Sequence, residues 1–207
     1  MKLIDGLTLK GTPANIPDCN REDLPGFFKE MGYKVGVEIG VYKGWYTRKF
    51  CEAGLKMFGV DPWMVSKEYH EKQGQGRQDF LYDHASRYMA DYDCELIRKT
   101  SMDAVKDFED ESIDFVYIDG HHGFKYVTED IYEWSKKVKK GGIVSGHDYA
   151  LSTHSFDFNN PFVLQVPYVL PAYTEAFRIN TWFVLGSGRK IKGEKRDTFR
   201  SWMWIKT

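Results

Sequence analysis

The residues with chemistry to offer sit at the ends of apolar runs. Residues 35–39 end in Glu38-Ile-Gly40-Val-Tyr-Lys-Gly44, an E-x-G-x-x-x-G pattern, and the next run, 57–60, ends on Asp61. Thr100-Ser101-Met102 follows a third run. Residues 113–118 lead into Asp119-Gly-His121-His122, and residues 143–145 lead into Gly146-His147-Asp148-Tyr149. Glycines where a strand turns into a helix let backbone approach a ligand, and a carboxylate at the next strand tip can accept from two ribose hydroxyls. The pattern therefore points to a nucleoside crevice. Taken singly, a glycine pair beside a strand is more often a tight turn and a strand-end aspartate more often a cap; the joint placement is what points to a ligand.

The sign of the charge separates the cofactor classes. A dinucleotide needs a helix N-terminus free to receive its pyrophosphate, and Glu38 just before the turn would repel that group. The same carboxylate would attract the ammonium and sulfonium of S-adenosylmethionine. Neither G-x-G-x-x-G nor a Walker A motif is present. The expected cofactor is S-adenosylmethionine, held by Glu38, Gly40, Gly44 and Asp61, with Ser101 and Met102 where the adenine lies and Asp119 at the fourth tip. Trp63 is placed either to stack on the adenine or to pack in the core.

A second constellation joins the fourth and fifth tips. Asp119, His122, His147 and Asp148 can converge on one volume outside the carboxyl ends of adjacent strands. Two aspartates suit Mg²⁺, and the histidines suit a softer divalent metal. An ion on Asp119, His147 and Asp148 would lower the pKa of a substrate hydroxyl. Asp119 and His122 are the candidate catalytic residues, because a histidine with an ordinary pKa of ~6.5 suits proton removal near neutrality. His70, His84 and His154 stand in polar stretches and are expected to be solvated.

These tips need a frame that brings them to one edge. Apolar runs alternate with helix-period segments, as in βαβ units, which implies a doubly wound α/β fold with a parallel sheet. Strands are expected at 35–39, 57–60, 96–97, 113–118 and 143–145. Residues 44–53 form a helix closed by Gly54, and Ser101 caps another that runs to Phe108. A third helix carries Phe124, Val127, Ile131, Trp134 and Val138 at steps of three and four and stops at Gly141-Gly142. Residues 181–185 and 202–205 read as a closing antiparallel hairpin, and residues 21–31 as a helix against the sheet edge. Residues 62–93 and 150–178 resist the alternation and read as substrate or lid insertions.

Composition narrows the class further. A chain of 207 residues fits one domain, able to bury about 70% of its unfolded surface. Lys+Arg 29 against Asp+Glu 30 argues against bulk nucleic-acid binding. The start lacks the basic-then-apolar layout of a signal peptide and no run approaches a membrane span, so a cytoplasmic protein is expected. Three cysteines without C-x-x-C suit a reducing compartment and structural thiols. An aromatic share of 16% reads as core and rim packing.

The runs VEIGVYKGWYT, FGVDPW and FVYIDGHHGFKYVTEDIYEWSKKVKKGGIVSGHDY resemble the class I S-adenosylmethionine-dependent methyltransferases, in the branch that includes macrocin-type sugar O-methyltransferases. The resemblance covers residues 35–149. It implies a Rossmann-like, mostly parallel seven-stranded sheet with a C-terminal antiparallel hairpin, in a single methyltransferase domain over 1–207 with its cofactor core at 34–149. It also implies methyl transfer to a small-molecule or sugar hydroxyl. Metal-dependent relatives carry an acid at the position of Asp119, an acidic pair at that of His147-Asp148, and a histidine base three residues past the first acid, where His122 stands. His147 departs from that pattern. A nicotinamide-dependent oxidoreductase and a noncatalytic nucleoside-binding protein are the alternatives, separable by cofactor titration. The acceptor is not legible, and a homo-oligomer is left open because no heptad or long edge strand decides it.

Overall fold

A computed structural model describes residues 2–65, 74–150 and 164–207. A helical turn α1 (Leu3–Gly6) and a short strand β1 (Ala14–Ile16) lead through a 3₁₀ turn at Arg21–Asp23 into α2 (Leu24–Glu30). Strands and helices then alternate: β2 (Val35–Ile39), α3 (Trp45–Glu52), β3 (Lys56–Val60), α4 (Gln75–Met89), β4 (Cys94–Ile97), α5 (Ser101–Ala104), β5 (Ile113–Ile118), α6 (Phe124–Lys137) and β6 (Val138–Tyr149). The helix α7 (Val166–Ala176) and strands β7 (Phe183–Leu185) and β8 (Arg200–Ile205) follow.

All eight strands form one sheet in the order β1-β7-β8-β6-β5-β2-β3-β4. The strand β8 runs antiparallel to β6 and β7, and every other pairing is parallel. Seven strands carry the expected mostly parallel α/β methyltransferase fold with an antiparallel C-terminal pair. The eighth, β1, adds a three-residue edge on β7. Chain order reverses between β2 and β5, and this switch point opens a crevice at their carboxyl ends.

The sheet is buried on both faces, which is why its central strands are nearly continuous in apolar residues. Successive residues of a strand face opposite sides. Val116 and Ile118 meet Val127, Ile131 and Trp134 of α6, whereas Phe115 and Tyr117 meet Phe28, Tyr46 and Phe50 of α2 and α3. The rings of Phe28 and Phe115 lie 4.5 Å apart. The opening helix therefore covers a sheet face rather than the edge, because Leu24, Phe27 and Phe28 are too apolar to be left on a rim.

Four other expectations are corrected. Thr100, not Ser101, caps α5: its hydroxyl accepts from the backbone N–H of Asp103 at 3.2 Å, and α5 ends at Ala104, with a 3₁₀ turn continuing to Asp107. Val138 leaves the helix with an extended ψ of 135° and begins β6, so Gly141-Gly142 lies inside a strand. There the pairing of β5 jumps from Val138 to Ile143, a bulge made possible by Gly141 at φ +78°. The stretch 62–93 contains the 15-residue α4, whose buried Gln78, Leu81, Ala85 and Met89 keep helical spacing with few apolar residues to show it. The stretch 150–178 contains α7, with Pro167 in its first turn, where no N–H is needed, and Pro171 inside.

His70 and His154, with residues 66–73 and 151–163 of the two expected insertions, lie outside the described residues. His84 is half-buried: its Nδ1 is shielded from solvent and its ring lies 5.7 Å from that of Tyr88. Cys19, Cys51 and Cys94 are free thiols. Among the described residues, no helix is long and apolar enough to cross a membrane.

Candidate active site

Gly40 ends β2 at φ +90°, and a Cβ there would stand 2.2 Å from the carbonyl oxygen of Asp119. Only glycine lets the β2 tip lie this close to the β5 tip. The contact is fastened by Asp119 N–H donating to Ile39 and Gly40 N–H donating to Val60, both at 2.8 Å. Next to it, Asp61 accepts from the backbone N–H of Tyr42 on one oxygen and of Trp63 on the other, each at 2.9 Å. Burial raises the pKa of this carboxyl, and the backbone donors pull it back. Asp61 thus ties the loop after β2 to the loop after β3.

These loops enclose a cavity of about 430 Å³ at the switch point. Of the expected cofactor residues, Gly40, Asp61, Trp63, Ser101, Met102 and Asp119 line it. Trp63 is only 1% exposed; its indole N–H donates to Tyr42 O at 2.9 Å and it packs with Val41, Leu81 and Ala85 while bordering the cavity. Glu38 and Gly44 are not among the lining residues. Glu38 is buried on β2, accepts from the Thr47 hydroxyl, and is pushed up to about 8 by burial. Gly44 takes φ +84° at the N-terminus of α3, beside Met89.

His121 and Asp130 are among the wall residues that were not anticipated. His121 accepts from Gly123 N–H at 2.9 Å on Nδ1 and sets its ring 4.1 Å from that of Tyr126. Asp130 is 5% exposed, accepts from Ser101, whose hydroxyl in turn accepts from Trp134 Nε1 at 2.8 Å, and is pushed up to about 7 by burial. Its signal was present: with Val127, Ile131 and Trp134 it completes the buried stripe of α6, so a charged residue stands at a core position.

The second cluster adjoins the cavity through Asp119. Adjacent residues of a regular strand face opposite ways, yet His147 Nδ1 lies 3.3 Å from Asp148 Oδ1. A bulge in β6 between Gly146 and Tyr149, with Asp148 at φ +63°, turns both side chains to one side. His147 Nδ1 is also 3.6 Å from Asp119 Oδ1, and its carbonyl accepts from Trp202 Nε1 at 2.9 Å. His122 Nδ1 stands 3.0 Å from Asp148 Oδ2, with the histidine side chain 39% exposed against 11% for the aspartate. His122 is thus the more exposed member of a pair backed by a buried carboxylate, and unlike His121 it is not among the residues lining the cavity. Burial opposes the charge on His147, and Asp119 with Asp148 outweigh it, pushing the imidazole up to about 9. Burial likewise works to raise Asp148, but His147 and His122 hold it below the ordinary carboxylate range.

Arg21 completes the cluster and carries no motif to announce it. From the 3₁₀ turn before α2, its Nη2 reaches Asp119 Oδ2 at 3.0 Å and its Nη1 stands 3.5 Å from His147 Nε2. Asp119, His147 and Asp148 offer three ligand atoms within 4.8 Å of one another, a spacing that suits a divalent ion. A competing cation already stands there, because the Oδ2 of Asp119 is held by the Arg21 guanidinium.

A family model described as a methyltransferase domain matches residues 37–149. The uncharacterized protein y4gI of Sinorhizobium fredii is 29% identical over 126 residues, 58% of this chain and 14% of that protein, so the chain spans about one seventh of its length. The O-methyltransferase TomG of Streptomyces achromogenes, solved with S-adenosylmethionine, superposes with a TM-score of 0.64 at 12% identity, covering 90% of this chain and 79% of that one. The Bacillus cereus O-methyltransferase solved with S-adenosylhomocysteine gives 0.59 at 16% identity, covering 90% and 80%. An rRNA methylase of Streptococcus thermophilus gives 0.60 at 13% identity, covering 91% and 97%. At such identities the likeness shows the fold. The chain belongs to the matched family: residues 37–149 form an S-adenosylmethionine-dependent methyltransferase domain.

Proposed function

We propose that the protein transfers the methyl group of S-adenosylmethionine to a small-molecule or sugar hydroxyl oxygen. The observation that carries this reading is Asp119, which borders the cofactor cavity and also belongs to the cluster in which His122 rests on Asp148. The cofactor lies along the β2, β3 and β4 tips, its ribose at Asp61 and its adenine toward Ser101 and Met102. Its sulfonium methyl points at the β5 tip, with Glu38 supplying a negative field from beneath. The acceptor oxygen lies between that methyl and His122. As the oxygen bonds to the methyl carbon, the carbon–sulfur bond breaks and its electron pair stays on sulfur, leaving S-adenosylhomocysteine. The hydroxyl proton passes to His122. No step of this reading passes through a metal ion.

The small-molecule class is supported by the O-methyltransferases of like fold, TomG among them being involved in tomaymycin synthesis, and by the near-balanced charge, which disfavours nucleic acid. The rRNA methylase has the same fold, so the fold alone does not name the acceptor. Acceptor selection is assigned to the segments leaving the β3 and β6 tips, from Pro62 and Ala150 onward. Family membership favours methyl transfer over the nicotinamide and noncatalytic readings.

Mass spectrometry of ligands retained on the purified chain, followed by an acceptor screen with trideuteromethyl donor, tests the proposal. The expected result is bound donor or its demethylated product, and a hydroxyl compound gaining the labelled methyl. Retention of a nicotinamide dinucleotide, or label appearing only on nitrogen or on RNA, would overturn it.

A further inference from the structure

We propose that the guanidinium of Arg21 is the resident cation of this site, standing where a divalent ion on Asp119, His147 and Asp148 would stand. Methyl transfer in this protein is then independent of divalent metal. The consequence for catalysis rests on the reading above, whereas the occupancy rests on geometry alone.

Two of the three candidate ligands are already committed. Asp119 gives Oδ2 to Arg21 Nη2 at 3.0 Å. His147 turns Nδ1 toward two carboxylates, at 3.3 and 3.6 Å, which can only accept, so that nitrogen carries a proton. Its Nε2 faces Arg21 Nη1 at 3.5 Å. A neutral ring spends its remaining lone pair on the guanidinium, and a protonated ring has none. In neither state does His147 offer a lone pair to a metal.

Arg21 is anchored through its backbone as well as through its guanidinium. The Arg21 N–H donates to Asp197 Oδ2 at 2.9 Å, and the Arg21 carbonyl accepts from the Tyr46 hydroxyl at 2.7 Å. The guanidinium carbon lies 3.9 Å from the Tyr46 ring centroid and 5.5 Å from that of Tyr117. A planar cation stacked on an aromatic face and hydrogen-bonded to a carboxylate is the arrangement arginine favours over lysine. Its charge does for Asp119 what an ion would do: it cancels the repulsion between that carboxylate and the negative charge growing on the acceptor oxygen. Arg21 lies outside residues 37–149, so this cation comes from the N-terminal segment and not from the matched domain.

The test is a Mn²⁺ titration of the full chain, read by electron paramagnetic resonance without turnover, so its failure is distinct from failure of the methyl-transfer reading. Wild type and Arg21→Lys, which keeps a positive charge, are expected to bind no specific Mn²⁺. Arg21→Gln is expected to gain one site, with affinity rising about 10–100-fold, the range over which neighbours of metal ligands act. A merely structural arginine would make the two variants behave alike. Melting temperatures confirm that each is folded; should Arg21→Gln fail to fold, Arg21→Met keeps the apolar stem on Tyr46 and takes its place. One tight Mn²⁺ site in wild type, lost in Asp148→Asn, would overturn the proposal. So would a neutral variant that binds no better than wild type.

Discussion

His122 Nδ1 lies 3.0 Å from Asp148 Oδ2, so the ring nitrogen facing the carboxylate must be the one that carries a proton in the neutral ring. This leaves Nε2 as the basic nitrogen, on a side chain exposed enough to meet a substrate. Replacing His122 by alanine is expected to lower turnover about 10²–10⁴-fold, with cofactor affinity near wild type. His121→Ala is expected to do the reverse, weakening the cofactor because His121 lines the cavity with Tyr126 while sparing turnover at saturation. Steady-state kinetics and calorimetry on both variants decide it, and equal turnover losses would refute the assignment of the base.

Asp148 works through that pair, and its backbone separates charge from strain. At φ +63° it occupies the left-handed region, which asparagine tolerates and alanine does not. Asp148→Asn is expected to lower kcat while leaving KM and the melting temperature near wild type. Asp148→Ala should add a thermal penalty corresponding to about 1–2 kcal/mol. Identical kinetics in Asp148→Asn and wild type would show that the carboxylate does not orient the base.

The strands that hold the site were legible where both faces are buried, as in β2, β3 and β5, because a long apolar run leaves little choice of element. The helices α4 and α7 were not. In α4, Gln78 stands among the buried positions and tyrosines blur the stripe; in α7, Pro167 and Pro171 interrupt the helical pattern although Pro167 sits where a proline costs nothing. The strand-tip residues were legible because they follow strands. Their convergence was expected for the same reason, but the bulge that turns His147 and Asp148 to one side was not legible, since only pairing with β8 reveals it. Arg21 was invisible for a plainer reason: its partner Asp119 is 98 positions away.

Asp61 has two duties, and a variant series can separate them. Both of its oxygens hold backbone N–H groups, which makes it a staple as well as the expected ribose ligand. Asp61→Ala is expected to lower the melting temperature and to weaken S-adenosylmethionine and S-adenosylhomocysteine alike, by roughly 1.5–3 kcal/mol for each charged hydrogen bond lost. Asp61→Asn keeps one acceptor and should recover more of the stability than of the affinity. Unchanged affinity in the alanine variant, measured by calorimetry, would remove Asp61 from the cofactor site.

Glu38 couples stability to pH with a definite sign. Burial pushes its folded-state pKa from 4.5 up to about 8, against the Thr47 hydroxyl that donates to it. Below about 4.5 the carboxyl is protonated in both states and stability is fully present. Between 4.5 and 8 the unfolded chain releases the proton while the folded chain keeps it, so fewer protons are bound on unfolding and stability falls as pH rises. Asp130, pushed up to about 7, acts in the same direction. Each group contributes a slope of at most ~1.4 kcal/mol per pH unit within its window. Urea unfolding between pH 5 and 8 is therefore expected to show a decline in wild type that is shallower in Glu38→Gln. Bound S-adenosylmethionine should flatten the wild-type slope as well, because a sulfonium and an ammonium near Glu38 favour its charged form and draw the pKa down. Calorimetry near pH 7 in buffers of different ionisation enthalpy should show a proton released on binding in wild type and none in Glu38→Gln. Equal proton release in both proteins would place the cofactor's charge away from Glu38.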